Sequence, residues 1–151
     1  MEKVQTKNTP MQRTKLIITL LLFLFITGLG FAQKADELIG KYRLPNKLDV
    51  EIFKENGKYL GKIIALRDFE DGQTTDINNP DKLKQDTPLI GLQIISNLEY
   101  DSEENKWLHG DMYGPEKGMN FHLKVIEMKD DEIIVVGSKY FFWKTLVWKK
   151  I

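Results

Sequence analysis

Trp107, His109, Asp111 and Tyr113 alternate along one stretch of the chain, and on a β-strand alternate residues share a face. A histidine beside an aspartate is the smallest arrangement that does general-base chemistry. Two positions along a strand separate His109 from Asp111 by about 6–7 Å, and no serine or third carboxylate is placed by sequence to complete a catalytic group. An exposed polar pair on a sheet therefore outweighs a hydrolase built on His109 and Asp111, which stands as the least favoured function. His122 shares a face with Asn120 and Lys124 and reads as solvated surface. Asp76-Ile77-Asn78-Asn79-Pro80-Asp81 resembles the opening of a calcium loop, but it lacks the glycine at the sixth position and the glutamate at the twelfth. It reads as turn and capping chemistry. The chain has no cysteine, which removes disulfides, thiolate metal sites and cysteine nucleophiles. No catalytic residue, metal site or cofactor is assigned.

The aromatic residues are more informative. Near the C-terminus Tyr140, Phe142, Leu146 and Trp148 fall on one face of a strand, and Phe141, Trp143 and Val147 fall on the other. Only one face can look into a core. The other is covered by a loop or the N-terminal segment, or it is a partner or dimer surface, because contiguous exposed apolar patches are unusual on monomers. Tyr42, Trp107, Phe121 and Trp148 are the residues expected to line a ligand site.

The elements that must position these residues follow from the spacing of apolar runs. From Leu38 onward short runs are separated by Gly, Asn, Asp and Pro clusters at the spacing of an all-β domain. Asp49 to Glu55, Asn56-Gly57, then Lys58 to Leu66 reads as a hairpin, since Asn-Gly readily takes the positive φ of a type I′ turn. Leu89 to Leu98 and Lys106 to Tyr113 read as the next two strands. Met119 to Met128 follows, with Phe121, Leu123 and Val125 facing one way. Glu132 to Ser138, Phe141 to Lys149 and the short Ile39 to Arg43 complete about eight strands. Antiparallel strands with short links close into an up-and-down barrel, which removes exposed edges; a two-sheet sandwich is the competing architecture. The long connection Arg67 to Thr87 is expected to hold one short helix, with Asn79 as N-cap and Pro80 at the first helical position, able to cover one barrel end.

The first 32 residues read as an export signal rather than part of the fold. Lys3 to Lys15 form a basic region, Leu16 to Ile26 an apolar run, and Gly30 and Ala32 precede a plausible cut before Gln33. An uncleaved anchor is the alternative, although the apolar stretch is short for a bilayer and interrupted by glycine. The expected organisation is thus a signal segment, 1–32, and one barrel domain, 33–151, placed in the periplasm or outside the cell, with no stable membrane span after cleavage. Zero net charge over 151 residues conceals a basic leader and a mildly acidic remainder without a basic stripe. Nucleic acid is excluded as a partner on that ground.

Taken in order, Glu37-Leu-Ile-Gly40-Lys-Tyr42, Val50-Glu-Ile52, Asn56-Gly57-Lys-Tyr-Leu-Gly61-Lys-Ile63, Asp76-Ile-Asn78-Asn79-Pro80, Pro88-Leu-Ile-Gly91-Leu92, Trp107 with Gly110, Tyr113 with Pro115 and Gly118, Gly137 and Trp148-Lys149 resemble a bacterial family of exported proteins catalogued as domain of unknown function 2147. The resemblance covers nearly all of residues 37 to 150. It implies a small lipocalin-like β-barrel, in which Tyr42 stands where lipocalins carry a tryptophan and Lys149 is its basic partner on the last strand. The chain departs from the family pattern at Asp86-Thr87, where an arginine is expected before Pro88, and at Gly114, where an aspartate is expected before Pro115. The leading functional expectation is an exported, non-enzymatic protein that binds a small, partly apolar ligand in the barrel. The alternative is an envelope protein-protein module, or self-association, through the outward aromatics of the last strand.

Overall fold

The computed structural model describes Lys15 and residues 34–151. The chain divides into two units, 1–35 and 36–151, and apart from Lys15 the expected signal segment lies outside the described residues. Among the described residues no helix is long and apolar enough to cross a membrane.

The second unit is a closed antiparallel barrel of eight strands in sequence order. They are β1 (Gly40–Arg43), β2 (Leu48–Glu55), β3 (Lys58–Leu66), β4 (Gln93–Asp101), β5 (Lys106–Gly114), β6 (Met119–Met128), β7 (Glu132–Lys139) and β8 (Phe142–Lys150). The barrel, not the sandwich, is the architecture. Asn56 and Gly57 both have positive φ, 51° and 78°, so the expected primed turn joins β2 to β3. Alternation sets the core: Val50, Ile52, Ile63, Leu123, Val125, Ile133 and Val135 are buried, while His122 and Lys124 face out.

Up-and-down connectivity puts alternate links at opposite ends. One end carries the β2–β3, β4–β5 and β6–β7 turns and the 3-10 turn Asp36–Leu38 that precedes β1. Leu38 is fully buried there. Tyr42 Oη donates to Leu38 O at 3.0 Å, and Tyr59 Oη donates to Asp36 Oδ1 at 2.7 Å. Burial pushes both hydroxyls up to about 12. Lys149 is not the partner of Tyr42: it points outward and pairs with Glu132, because β8 alternation turns it away from the interior that Tyr42 occupies.

The other end, the mouth, carries the β1–β2, β3–β4, β5–β6 and β7–β8 links. Asp49 holds its first three strands together by accepting from Arg43 at 2.8 and 3.1 Å and from Arg67 at 3.0 Å. The hydrogen bonds from Arg43, reinforced by Arg67, keep its carboxyl below the usual range against the opposing effect of burial.

The β3–β4 link, 67–92, differs from expectation in two ways. Its helical content is one 3-10 turn, Lys82–Lys84, capped by Asp81, which accepts from Leu83 N at 3.1 Å, while Phe69–Gly72 turns through left-handed backbone at Glu70 and Asp71. Asn79 instead closes an Asx turn, accepting from Asp81 N at 2.9 Å. Residues 89–92 are not strand. Leu89 N donates back to Thr74 O, and Gly91 turns the chain with a φ of 87°, so β4 starts only at Gln93.

Candidate functional site

A cavity of about 470 Å³ opens at the mouth. Gly137 and Leu146 bring β7 and β8 to it, Phe121 and Leu123 bring β6, and Met112 brings β5. Trp148 lies at its buried side. The volume sits within the range of small-molecule sites, whose linings are mainly apolar with a few placed polar groups.

The local sequence explains why there is space here. Gly137 is inward-facing on β7, paired with Leu123 and Lys144, and a Cβ built on it meets nothing within 4 Å. Gly114 does the opposite, because a Cβ there comes within 3.0 Å of the Phe121 ring and 3.3 Å of both Glu116 carboxylate oxygens. The missing side chain at Gly114 lets Glu116 fold over the end of β5. The seam between β8 and β1 is short: only Tyr42 and Arg43 pair across it, with Lys150 and Lys149. Leu44, Pro45 and Asn46 on one side of that seam and Trp143 and Lys144 on the other all reach the cavity.

Two buried polar atoms of the lining lack protein partners. Trp148 Nε1 and Glu116 Oε2 are the buried side-chain polar atoms without a hydrogen-bond partner among the described residues, and both residues line this cavity. Lys117, Lys139 and Lys144 also line it. Lys139 lies 5.8 Å from the Phe121 ring centroid, close enough for a cation–π contact. By contrast, cations on the barrel wall such as Lys58 and Lys62 are paired with Glu99 and Glu51.

Of the four residues expected to bind a ligand, Phe121 and Trp148 are brought together at the cavity. Tyr42 and Trp107 are buried in the core and are not part of its lining. Tyr42 sits toward the closed end, and Trp107 packs against Tyr100 with ring centroids 5.0 Å apart. Sequence reasoning missed Gly137, Glu116 and the three lysines. The signal available was an isolated glycine inside the apolar run of β7, where the missing side chain leaves room for a ligand against the backbone.

The β7–β8 hairpin carries the exposed aromatics. Tyr140, Phe141, Phe142 and Trp143 are 89, 76, 69 and 76 % exposed. The expected division into inward and outward faces therefore fails at the tip, because the hairpin there has only its own two strands for neighbours. Tyr140 has a φ of 55°, a conformation that is strained for a bulky residue.

The His109–Asp111 arrangement does not form. His109 has a φ of 62°, and the β5–β6 register shifts between Trp107 and Gly110. This bulge turns Trp107 inward and takes His109 out of line with Asp111. Asp111 instead faces His122 across the β5–β6 ladder, 3.4 Å from its Nδ1, and accepts from Asn97 Nδ2 at 2.9 Å. Ser138 is next in that row, beside a shallow depression of about 250 Å³. Among the described residues no group of three or more metal-ligating side chains comes together. Asp76 is buried in the mouth loop, accepting from Tyr113 Oη at 2.8 Å and Asn79 Nδ2 at 2.6 Å. Burial, then the neighbouring carboxylate, raises the Tyr113 hydroxyl above its usual range. This is the expected turn chemistry, and it ties the long loop to β5. The loop supplies no residue to the cavity lining, so nothing places it as a lid.

An eight-stranded up-and-down barrel, closed at one end and hollow at the other, is the architecture of the lipocalin-like proteins. Over residues 40–150 the chain matches the family model described as "Uncharacterized protein conserved in bacteria (DUF2147)", and it belongs to that family. Among solved structures it is similar to protein HP1028 from the human pathogen Helicobacter pylori, described as belonging to the lipocalin family. The two share 22 % identity with a TM-score of 0.66, over 76 % of this chain and 82 % of the other. No curated protein matches.

Proposed function

We propose that the protein is an exported, non-enzymatic binding protein of the periplasm or cell exterior that takes a small, partly apolar ligand into the mouth of its barrel. The carrying observation is the 470 Å³ cavity, lined by Phe121, Leu123, Leu146 and Trp148, at a point where an inward glycine leaves the interior open. Protein purified from its own host and analysed by native mass spectrometry is expected to retain a small molecule, and a fluorescent fatty acid is expected to titrate to saturation. No retained ligand together with no saturable binding would refute the reading.

A second reading, a docking module for an envelope protein or a second copy, is supported by the exposed tip residues Tyr140, Phe141 and Trp143. Light scattering on wild type and Trp143→Ala tests it, and an unchanged assembly state counts against it.

A further inference from the structure

We propose that the ligand is an anionic amphiphile that also carries a hydroxyl group, with the anion held by Lys117, Lys139 and Lys144, the apolar body on Phe121 and Leu146, and the hydroxyl serving Trp148 Nε1 and Glu116. This rests on the cavity being a ligand site and specifies what enters it.

Three features converge on that chemistry. The first is charge: the lining contains three lysines and one glutamate, and none of the four forms an ion pair among the described residues. A low-dielectric wall behind an excess of one sign of charge concentrates ligands of the opposite sign. The second is the orphaned pair. An indole N–H is a donor only, and a carboxylate is an acceptor only. The fold places both in one cavity with no protein partner for Trp148 Nε1 or Glu116 Oε2. Both atoms are already shut off from solvent by the protein itself, so a ligand group reaches them only with a small shift of the lining, and a purely apolar ligand would leave both unsatisfied, at a cost comparable to a lost hydrogen bond for each. A hydroxyl both accepts and donates, so it serves either group, and both where its oxygen lies between them. A bare carboxylate satisfies the indole but repels Glu116. The third is the apolar surface of Phe121, Leu123 and Leu146 between the lysines and the core, which suits an alkyl chain.

The test compares methyl dodecanoate, dodecanoate, 3-hydroxydodecanoate and 12-hydroxydodecanoate by displacement of a fluorescent fatty acid from the purified protein. Dodecanoate is expected to bind more tightly than methyl dodecanoate, and this preference is expected to shrink about fivefold in the Lys139→Gln/Lys144→Gln double variant, each exposed charge contributing modestly. One of the two hydroxy acids is expected to bind about tenfold more tightly than dodecanoate, the equivalent of one hydrogen bond to an otherwise unpaired buried group. That advantage is expected to vanish in Trp148→Phe. Glu116→Gln, in a half-exposed turn, gives a second reading should Trp148→Phe lower the melting temperature, and is expected to reduce the advantage. Equal binding of all four compounds, or a hydroxyl advantage untouched by both variants, overturns the inference while leaving a ligand-binding barrel intact. Saturable binding of neither the fluorescent probe nor any of the four compounds refutes the ligand reading itself.

Discussion

Replacing Gly137 by phenylalanine asks whether the mouth cavity is where the ligand sits. The Cβ direction from Gly137 is open for 4 Å, and the cavity it enters holds about 470 Å³. A cavity on the order of 150 Å³ accommodates benzene, so the new ring would take roughly a third of the space. If it displaces contacts to about three ligand methylenes, at ~0.8 kcal/mol each, the loss is ~2.4 kcal/mol, or roughly 50-fold in Kd. Stability is expected to move the other way. Glycine inside a strand costs roughly 0.5–1 kcal/mol relative to alanine, and aromatic residues favour strands. For a domain of this size the melting temperature is expected to rise by about 2–4 °C. Fluorescent fatty-acid titration and a thermal melt on the same samples supply both values. Unchanged affinity with the ring accommodated would place the ligand elsewhere. A fall in melting temperature would mean that the space is not open.

Three other outcomes follow from separate parts of the barrel. Asp49 has its carboxyl lowered by Arg43 and Arg67, so its contribution is present above its unfolded value of about 4 and is lost as pH falls through its lower folded value. Asp49→Asn is expected to cost about 1–2 kcal/mol at neutral pH and to flatten this acid limb of a denaturation series; an unaltered limb refutes the assignment. Gly118 has a φ of 59°, and a Cβ there would lie 1.9 Å from Asn78 O, where the long loop meets the β5–β6 turn. Gly118→Ala is expected to cost about 1–3 kcal/mol and to raise hydrogen exchange in residues 74–80. Tyr140→Gly relieves a left-handed tyrosine and is expected to stabilise by about 1 kcal/mol in a chemical melt, the strain being tolerated for the exposed ring; no gain would mean that the hairpin relaxes by itself.

The strand pattern was legible because alternation is local. Side chains in β6 and in the β2–β3 hairpin point where their period places them, and Asn56-Gly57 dictates its turn through its own φ preferences. Expectation failed where one residue interrupts that period. The bulge at His109 and the turn at Gly91 depend on what the neighbouring strand presents, so neither is written in a stretch of polar and apolar letters. The N-cap moved from Asn79 to Asp81 for a related reason: Asx side chains two residues apart compete for the same amides, and the packing of the loop on Tyr113 and the β5–β6 turn selects between them.

The candidate site was half legible. Large aromatics such as Phe121 and Trp148 mark an interior by composition alone, but whether they fill it or line a hollow depends on the residues opposite them. By itself, the amino-acid order determined an all-β chain, its hairpins, the inward faces of regular strands such as β6, and its family. Closure of the barrel decided the rest, because it alone brings Leu44, Glu116, Gly137 and Trp148, each from a separate stretch of strand or turn, around one space. Which side chains leave a gap and which polar atoms go unpaired are properties of that convergence, and pairwise distances across a closed sheet are not encoded at any one position.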